Sequence, residues 1–236
     1  GCSGEIIEER LRSLVPDLDA FHLDAILLSH EHTGHISSIE YFSSQYRIPV
    51  LATLKTCRAV MLEIGRVLPE VRLFVPGMPF VMEDLEITPF SIPHDAADPV
   101  AFRVEVSSLE RTISIGICTD LGFVTSGVIG NLLNCTLLLV ESNHDPELVA
   151  RSNLSATDKR RLLGRCGHLS NQECSELLKE LAHPGLERIY LGHLSENYNK
   201  PELALKSAQE ALSRTSFQGD IVIATHKQCS KPSLWD

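Results

Sequence analysis

Short apolar runs rich in β-branched residues alternate along this chain with longer segments whose apolar residues recur at helical spacing. This alternation is typical of a layered α/β protein, in which helices cover the faces of a sheet. It predicts eight strands: Ala25–Ser29, Pro49–Ala52, Leu85–Ser91, Ala101–Ser107, Thr112–Cys118, Thr136–Ser142, Arg188–Leu191 and Ile221–Ala224. It also predicts seven helices: Glu5–Leu14, Ile36–Tyr46, Lys55–Ile64, Ser126–Leu133, Ser155–Leu163, Asn171–Leu181 and Pro201–Ser213.

Composition limits the class of protein. Of the 236 residues, 43% are hydrophobic and 22% are charged, which excludes a disordered chain and leaves enough apolar surface for a sizeable core. No run of about 18 apolar residues occurs, and the first residues contain no apolar signal region, so we expect no membrane partner. No linker rich in proline, glycine or serine divides the chain. We therefore predict a single domain over residues 1–236.

Charge and cysteine usage narrow the setting further. The formal net charge of −10 is not the usual footprint of a nucleic-acid-binding protein, although bound divalent cations can reverse the sign inside a cleft. The seven cysteines are scattered and form no C-x-x-C pair. This usage is typical of reduced thiols, and we expect a cytoplasmic protein.

The strongest chemical signal is the segment Ser29-His30-Glu31-His32-Thr33-Gly34-His35, which directly follows a predicted strand. His30 and His32 point to the same side if the backbone stays extended, and His35 comes back from the first turn of the next helix. Imidazole is a common ligand of zinc, iron, nickel and copper. The segment therefore predicts a metal site.

Three later segments each follow an apolar strand with a potential metal ligand, namely Ile92-Pro93-His94, Cys118-Thr119-Asp120 and Leu191-Gly192-His193. Together with the histidine-rich segment, they resemble the ordered motifs of the metallo-β-lactamase fold, which begin with H-x-H-x-D-H. The wider resemblance is to the WalJ/YycJ-type branch of that fold. It runs through His94-Asp95-Ala96-Ala97-Asp98-Pro99, Glu141-Ser142-Asn143-His144-Asp145 and Gly167-His168-Leu169-Ser170-Asn171.

This resemblance implies an α/β protein with an αββα sandwich, and a cytoplasmic bacterial metal-dependent hydrolase. Members of the branch are associated with 5′→3′ exonuclease action on DNA. The resemblance also implies two divalent metal ions, zinc or manganese, which activate a water molecule. Carried onto this chain, the first ion is bound by His30, His32 and His94, the second by His35 and His193, with Asp120 bridging the two.

One position departs from the family pattern. The motif has Asp where this chain has Gly34, which offers no ligand atom. Loss of an anionic ligand weakens the binding of a divalent ion, most of all an oxygen-preferring ion such as manganese. We expect a weakened second site on His35, His193 and Asp120, because three protein ligands plus water can still bind zinc. Glu31 is not favoured as a replacement, since it points away from the histidines in an extended segment.

The family also begins with one or two strands before the residues that resemble Gly1-Cys2-Ser3-Gly4. The sequence therefore predicts a sandwich that lacks its N-terminal strands. The first sheet would then be short, with an exposed edge.

Two further histidines are candidates for catalysis beside Asp120. His168 precedes Ser170, which is predicted to form a capping box with Glu173 at the start of a helix. The N-terminus of such a helix can bind an anion. His144 follows a strand and is a candidate proton donor, although a structural role in the turn is equally open. The basic residues of the preceding helix could bind substrate phosphates or form a solvated face, and they are Lys159, Arg160, Arg161 and Arg165.

Three functions remain open on this sequence. The favoured one is a metal-dependent phosphodiesterase that acts on DNA as an exonuclease. The second is a hydrolase of a small molecule, such as a thioester, a lactone or a cyclic phosphodiester. The third is a protein that binds a partner without catalysis, and Gly34 is the feature that favours it.

Overall fold

The structure is a computed structural model that describes residues 2–15, 17–109, 111–226 and 228–230. The chain forms two compact units. The first unit contains the described residues up to Pro76 together with Ala96–Pro99, and the second contains Gly77–Asp95 and the described residues from Val100 to Ser230. The single domain expected over residues 1–236 stays a prediction.

The first unit is built on a short parallel sheet of three strands in the order β1-β2-β3. Small and branched side chains fill its core, among them Val50, Ala52 and Val60, none of which is exposed. Ser3 and Thr53 cap two of its helices by accepting backbone N–H bonds. In chain order the elements are α1 (Gly4–Leu14), β1 (Ile26–Leu27), α2 (Thr33–Ile36), β2 (Val50–Ala52), α3 (Leu54–Ile64) and β3 (Val71–Leu73).

The helix expected over Ile36–Tyr46 is wrong in form. Helix α2 ends at Ile36, and a wider π-helical turn follows over Tyr41–Gln45. Within that turn Phe42 is buried against Ala20 and Ile48, while the Tyr41 hydroxyl donates a 2.7 Å hydrogen bond to Glu8 Oε2. We infer that these two demands on adjacent side chains favour the wider turn over a regular helix.

The second unit is built on a sheet of seven strands in the order β10-β9-β8-β7-β6-β5-β4. The antiparallel half contains β4 (Phe80–Met82), β5 (Leu85–Ser91), β6 (Val100–Ser107) and β7 (Thr112–Cys118). Strand β7 also begins the parallel half, which continues through β8 (Leu137–Glu141), β9 (Arg188–Gly192) and β10 (Asp220–Ile223).

Helices connect the parallel strands of the second unit, because parallel neighbours need a crossover connection. Helix α4 (Ser126–Leu132) joins β7 to β8, and α8 (Pro201–Leu212) joins β9 to β10. The connection from β8 to β9 contains three helices, α5 (Pro146–Arg151), α6 (Ala156–Leu162) and α7 (Asn171–Leu181). Among the described helices, none is both long enough and apolar enough to cross a bilayer.

The carboxyl ends of β7, β8 and β9 lie side by side at one edge of this sheet, because the three strands are adjacent and parallel. Their interiors are apolar and buried, as in Leu138, Val140 and Leu191, which are not exposed at all. The polar residues that follow or end these strands are thereby held on a rigid, close-packed support.

Each predicted strand overlaps an observed one, and six of the seven predicted helices are confirmed to within about one residue at each end. Strands β3 and β4 and helix α5 were not predicted. The two strands are three residues long, which is too short for a period to be recognised. Helix α5 is also short, and its start depends on Asp145, whose side chain accepts from the backbone N–H groups of Glu147 and Leu148.

Candidate metal centre

The histidine-rich segment forms a compact cluster in the first unit. The His30 ring lies 4.7 Å from the His32 ring and 4.1 Å from the His35 ring, measured between centroids. His35 returns toward the other two because its N–H bonds to the His32 carbonyl, 2.8 Å away, in the first turn of α2. His30 is fully buried, and its Nδ1 lies 3.1 Å from the Ser29 hydroxyl. The proximity expected of these three imidazoles is therefore observed, while their role as ligands stays a prediction.

Glu31 lies between the first two histidines but has a different partner. Its Oε1 accepts a 2.7 Å hydrogen bond from the backbone N–H of Ala97, in the segment Ala96–Pro99 of the same unit. This contact holds the carboxylate on a backbone group. Gly34, which stands where the family motif has Asp, is exposed and has no side chain.

In the second unit, His94 follows β5 and is buried. Its Nδ1 lies 3.2 Å from the Gly167 carbonyl, and since a carbonyl only accepts, Nδ1 is the protonated nitrogen. Its Nε2 lies 3.6 Å from Asp120 Oδ1. Burial lowers the pKa of His94, although the negative charge of Asp120 acts in the opposite direction. The lowered pKa favours the neutral imidazole, which is the form that binds a metal.

Asp120 and His193 follow the ends of β7 and β9 with left-handed backbone conformations, at φ values of 59° and 54°. Residues other than glycine rarely adopt this conformation, which costs on the order of 1–3 kcal/mol. The turn aims both side chains across the sheet edge, and His193 Nε2 lies 3.4 Å from Asp120 Oδ1. Hydrogen bonds from the Asp120 backbone and from His193 Nδ1 to Glu141 hold these turns in place.

Glu141 ends β8 and is fully buried. Its Oε2 accepts from the backbone N–H of Asp120 at 2.8 Å, and Oε1 accepts from that of Leu169 at 2.7 Å. Oε2 also lies 2.7 Å from His193 Nδ1 and 3.0 Å from His168 Nδ1. Burial alone would raise the pKa of Glu141, but the hydrogen bonds from the two histidines outweigh it and the pKa falls, so the carboxylate is ionised.

The sequence places Glu141 in a segment that resembles the family, but it does not by itself indicate a role for this residue. A signal was present, since it is the only charged residue of the strand Leu137–Glu141 and ends an unbroken apolar run. A buried acid in that position needs partners to remain charged. Its partners are distant in sequence, and they are identified only once the parallel strands are paired.

The same carboxylate determines which nitrogen of two imidazoles is protonated. Because the ionised Glu141 carboxylate can only accept, His168 and His193 each donate to it from Nδ1. Burial lowers the pKa of His193, but its hydrogen bond to Glu141 and the charges of Glu141 and Asp120 outweigh that effect and raise it. One potential ligand atom from each of Asp120, Glu141, His168 and His193 lies within 4.8 Å of the others.

His144 is not a member of this donor set. It is 1% exposed and pairs with Ser170 through an isolated β-bridge. Within the described part of the chain, neither of its ring nitrogens has a hydrogen-bond partner. Burial lowers the pKa of His144, so the ring is neutral near pH 7. Its catalytic role stays a prediction.

The basic residues of α6 and the loop after it have protein partners. Lys159 donates to the carbonyls of Ala150 and Ser152, and Arg161 donates to Asp95 at 2.6 Å. Ser170 at the start of α7 forms the expected capping box with Glu173, which uses helix N–H groups that an anion would otherwise bind. Phosphate binding by this region stays a prediction.

The donor chemistry of the second unit fits a divalent cation. Imidazole nitrogens and a carboxylate converge, and a buried carboxylate orients two of the imidazoles. This is the usual way in which proteins orient metal-binding histidines. Of the described residues in this unit, Asp120, Glu141, His168 and His193 form a group that could hold such an ion.

Comparison with known proteins supports this interpretation. A family model described as a beta-lactamase superfamily domain matches residues 4–194, and the chain therefore belongs to the β-lactamase superfamily. The predicted fold class, an α/β protein with the metallo-β-lactamase fold, is thereby confirmed. The structure of the metallo-β-lactamase fold protein YhfI from Bacillus subtilis aligns with a TM-score of 0.65 at 19% identity, over 100% of this chain and 85% of that one.

Two relatives confirm the resemblance to the WalJ/YycJ-type branch. The exodeoxyribonuclease YycJ of Bacillus anthracis is 28% identical over 218 residues, which are 92% of this chain and 80% of that protein. The exodeoxyribonuclease WalJ of Streptococcus pneumoniae serotype 2 is 33% identical over 187 residues, which are 77% of this chain and 67% of that protein.

Proposed function

We propose that this protein is a divalent-metal-dependent phosphodiesterase that degrades DNA as an exonuclease. The observation that carries the proposal is the donor set of the second unit, in which the buried Glu141 carboxylate accepts hydrogen bonds from Nδ1 of His168 and His193 beside Asp120. Similarity to two exodeoxyribonucleases supports DNA as the substrate. Superfamily membership by itself supports only a metal-dependent hydrolase.

The metal ions supply Lewis acidity toward a phosphoryl oxygen and lower the pKa of a bound water. Zinc and manganese are the two candidates, and we propose two ions. The residues proposed to hold them are His30, His32, His35, His94, Asp120 and His193.

The chain itself supplies orientation and proton control. Glu141 keeps the Nδ1 atoms of His168 and His193 protonated by accepting a hydrogen bond from each. The backbone N–H of Asp120 donates to Glu141, which holds in place the turn that carries the Asp120 side chain. His144 and His168 are the proposed groups for contacting a phosphate or protonating the leaving oxygen.

We also propose that the protein works in a reducing compartment such as the cytoplasm. All seven cysteines are free thiols, and four of them, Cys57, Cys118, Cys135 and Cys174, are buried. Burial raises the pKa of Cys135 to about 11, which keeps this thiol protonated and unreactive.

A test of the function uses linear duplex DNA labelled at the 5′ or the 3′ end. Protein stripped with a chelator should release no nucleotides, and added zinc or manganese should restore release from linear DNA. A covalently closed circle of the same sequence should stay intact, because an exonuclease needs an end. His22→Ala is a matched control, since His22 is exposed and its ring bonds to Asp19 within the same short turn. Hydrolysis of thioesters, lactones or cyclic phosphodiesters without DNA degradation would favour the small-molecule alternative.

One observation favours a second candidate, a protein that binds without catalysis. Gly34 removes an anionic donor that the family motif supplies. Reconstituted protein that binds DNA but hydrolyses none of these substrates would support this candidate.

A further inference from the structure

A cavity of about 210 Å³ lies beside the donor set of the second unit. Asp95 and His168 are among the residues that line it. His168 Nδ1 lies 3.0 Å from Glu141 Oε2, and Asp95 Oδ1 lies 3.5 Å from His94 Nε2. Two walls of the cavity are therefore in contact with residues of the candidate metal centre.

The cavity has the size and the lining for one flat ring system. Pockets for drug-sized ligands span about 300–1,000 Å³, so a space of about 210 Å³ suits a smaller group. Leu154, Leu162 and Tyr198 supply apolar and aromatic walls. The backbone of Tyr198 is held on both sides, because its N–H donates to Ser195 Oγ at 3.1 Å and its carbonyl accepts from the Asp145 N–H at 2.8 Å. An aromatic residue that is held before binding is typical of a stacking site.

The charges in the cavity disfavour a phosphate as its occupant. Asp95, Asp158 and Arg161 line it, and these three side chains have an excess of one negative charge. Arg161 Nε donates to Asp95 Oδ2 at 2.6 Å, and this bond together with the charges of both carboxylates raises the pKa of Arg161. A phosphate would thus meet an arginine that is already paired. A nucleobase is neutral, and its N–H groups can donate to a carboxylate.

We propose that this cavity binds the base of the DNA nucleotide that the enzyme removes, with the base stacked on Tyr198. The inference rests on the proposed exonuclease function. His168 lines the cavity and is a proposed phosphate contact, so the phosphate of the same nucleotide lies at the mouth of the cavity. The base has to leave the helical stack to enter, and this costs least at a DNA end, where the base has no neighbour on one side.

Stacking on an aromatic residue predicts little dependence on DNA sequence. Every base has a flat π face, so one aromatic platform accepts all four bases. The enzyme should therefore digest ends of any sequence and discriminate against an end nucleotide that lacks its base.

The test measures binding separately from cleavage. The probes are two linear DNA duplexes of one sequence with a dye at an internal position. Their terminal phosphodiesters have CH2 in place of the bridging oxygen, so that the metal-loaded protein binds them without cutting. One duplex is complete, and the other lacks the bases of its end nucleotides. Fluorescence anisotropy gives the affinity of the protein for each.

We expect wild-type protein to bind the complete duplex about 5- to 150-fold more tightly than the abasic one, which is the usual effect of one base–aromatic stack. Both duplexes have the same phosphates, so a phosphate in the cavity would give equal affinities. This comparison needs no variant, and it decides the proposal even if a substitution at residue 198 prevents folding.

Variants of Tyr198 then locate the stacking surface. Tyr198→Ala should bind both duplexes with the weaker affinity, and Tyr198→Phe should keep the preference for the complete duplex. A merely structural role of Tyr198 would instead weaken binding to both duplexes and leave their ratio unchanged. Phe21→Ala is the control for loss of an aromatic ring, since Phe21 is 79% exposed in the first unit and is not among the residues that line the cavity.

The outcomes separate the inference from the proposed function. Equal affinity of wild type for the two duplexes, or an undiminished preference in folded Tyr198→Ala, would overturn the base-binding cavity. Release of nucleotides from unmodified linear DNA by the same protein would leave the exonuclease function standing. Wild-type protein that releases no nucleotides from unmodified DNA would overturn both.

Discussion

The two clusters of candidate ligands are assembled in opposite ways. In the first unit, His30, His32 and His35 come from six consecutive residues and approach one another through a single helical turn. In the second unit, the donors come from separate strand ends and from the loop before α7, and the buried carboxylate of Glu141 connects three of them. The first cluster depends on local backbone geometry, and the second on strand pairing and on one buried charge.

This difference teaches where each cluster is vulnerable. A substitution in the first cluster removes one imidazole and leaves its neighbours in place. A substitution at Glu141 disturbs two imidazoles and a backbone turn at once, because all three donate to the same carboxylate. The contrast leads to three predictions, from the largest effect to the smallest.

The largest effect is expected from Asp120→Ala, which removes the carboxylate that two Nε2 atoms of the second unit approach. DNA hydrolysis should fall below detection, while circular dichroism stays that of the wild type. Asp120→Asn is the matched variant, since Asn tolerates the left-handed backbone at this position. Hydrolysis at the wild-type rate in either folded variant would remove Asp120 from the mechanism.

Glu141→Gln should have the next largest effect, and it tests the claim that one buried charge organises the second cluster. An amide cannot accept from all four donors, so some buried donors lose their partner. We expect metal affinity, measured by calorimetry, to fall by about 10–100-fold and the free energy of unfolding by about 1–3 kcal/mol.

Glu147→Gln is the control for Glu141→Gln, since Glu147 is exposed and pairs with exposed Arg151 on α5. It should change stability by less than about 0.5 kcal/mol. Equal effects of the two substitutions would show that the second cluster holds its shape without the Glu141 charge.

The smallest effect is expected from Glu31→Ala in the first unit. It removes the hydrogen bond to Ala97 N–H and should lower the free energy of unfolding by about 1 kcal/mol, measured by urea denaturation. Zinc content should not change, because Glu31 is not a ligand in our assignment. Loss of an ion would instead identify Glu31 as the replacement for the residue missing at 34. Glu40→Gln serves as the control, since Glu40 pairs with Arg66 at the surface.

The sequence was sufficient for the features that depend on local pattern. The strands Leu85–Ser91 and Thr112–Cys118 were located to the residue, and the capping box of Ser170 and Glu173 was recognised from spacing alone. The close approach of His35 to His30 also followed from a strand-to-turn rule. Each of these features is determined within a few residues of chain.

The rest could not be predicted because it depends on partners distant in sequence. Glu141 meets His193 only after β8 and β9 pair, and Arg161 meets Asp95 only once the loop before α7 has folded. The role of the basic residues was left open because charge alone does not say whether Arg161 or Lys159 has a protein partner. Sequence spacing contains no information on such pairings.

The order of strands in the second unit has a consequence for how the protein matures. Asp120, Glu141 and His193 stand at the ends of β7, β8 and β9, and the connection between the last two contains three helices. Pairing across so long a connection is a late event in folding, since a large loop must close first. A chain emerging from the ribosome therefore cannot capture an ion in this cluster before its sheet is complete.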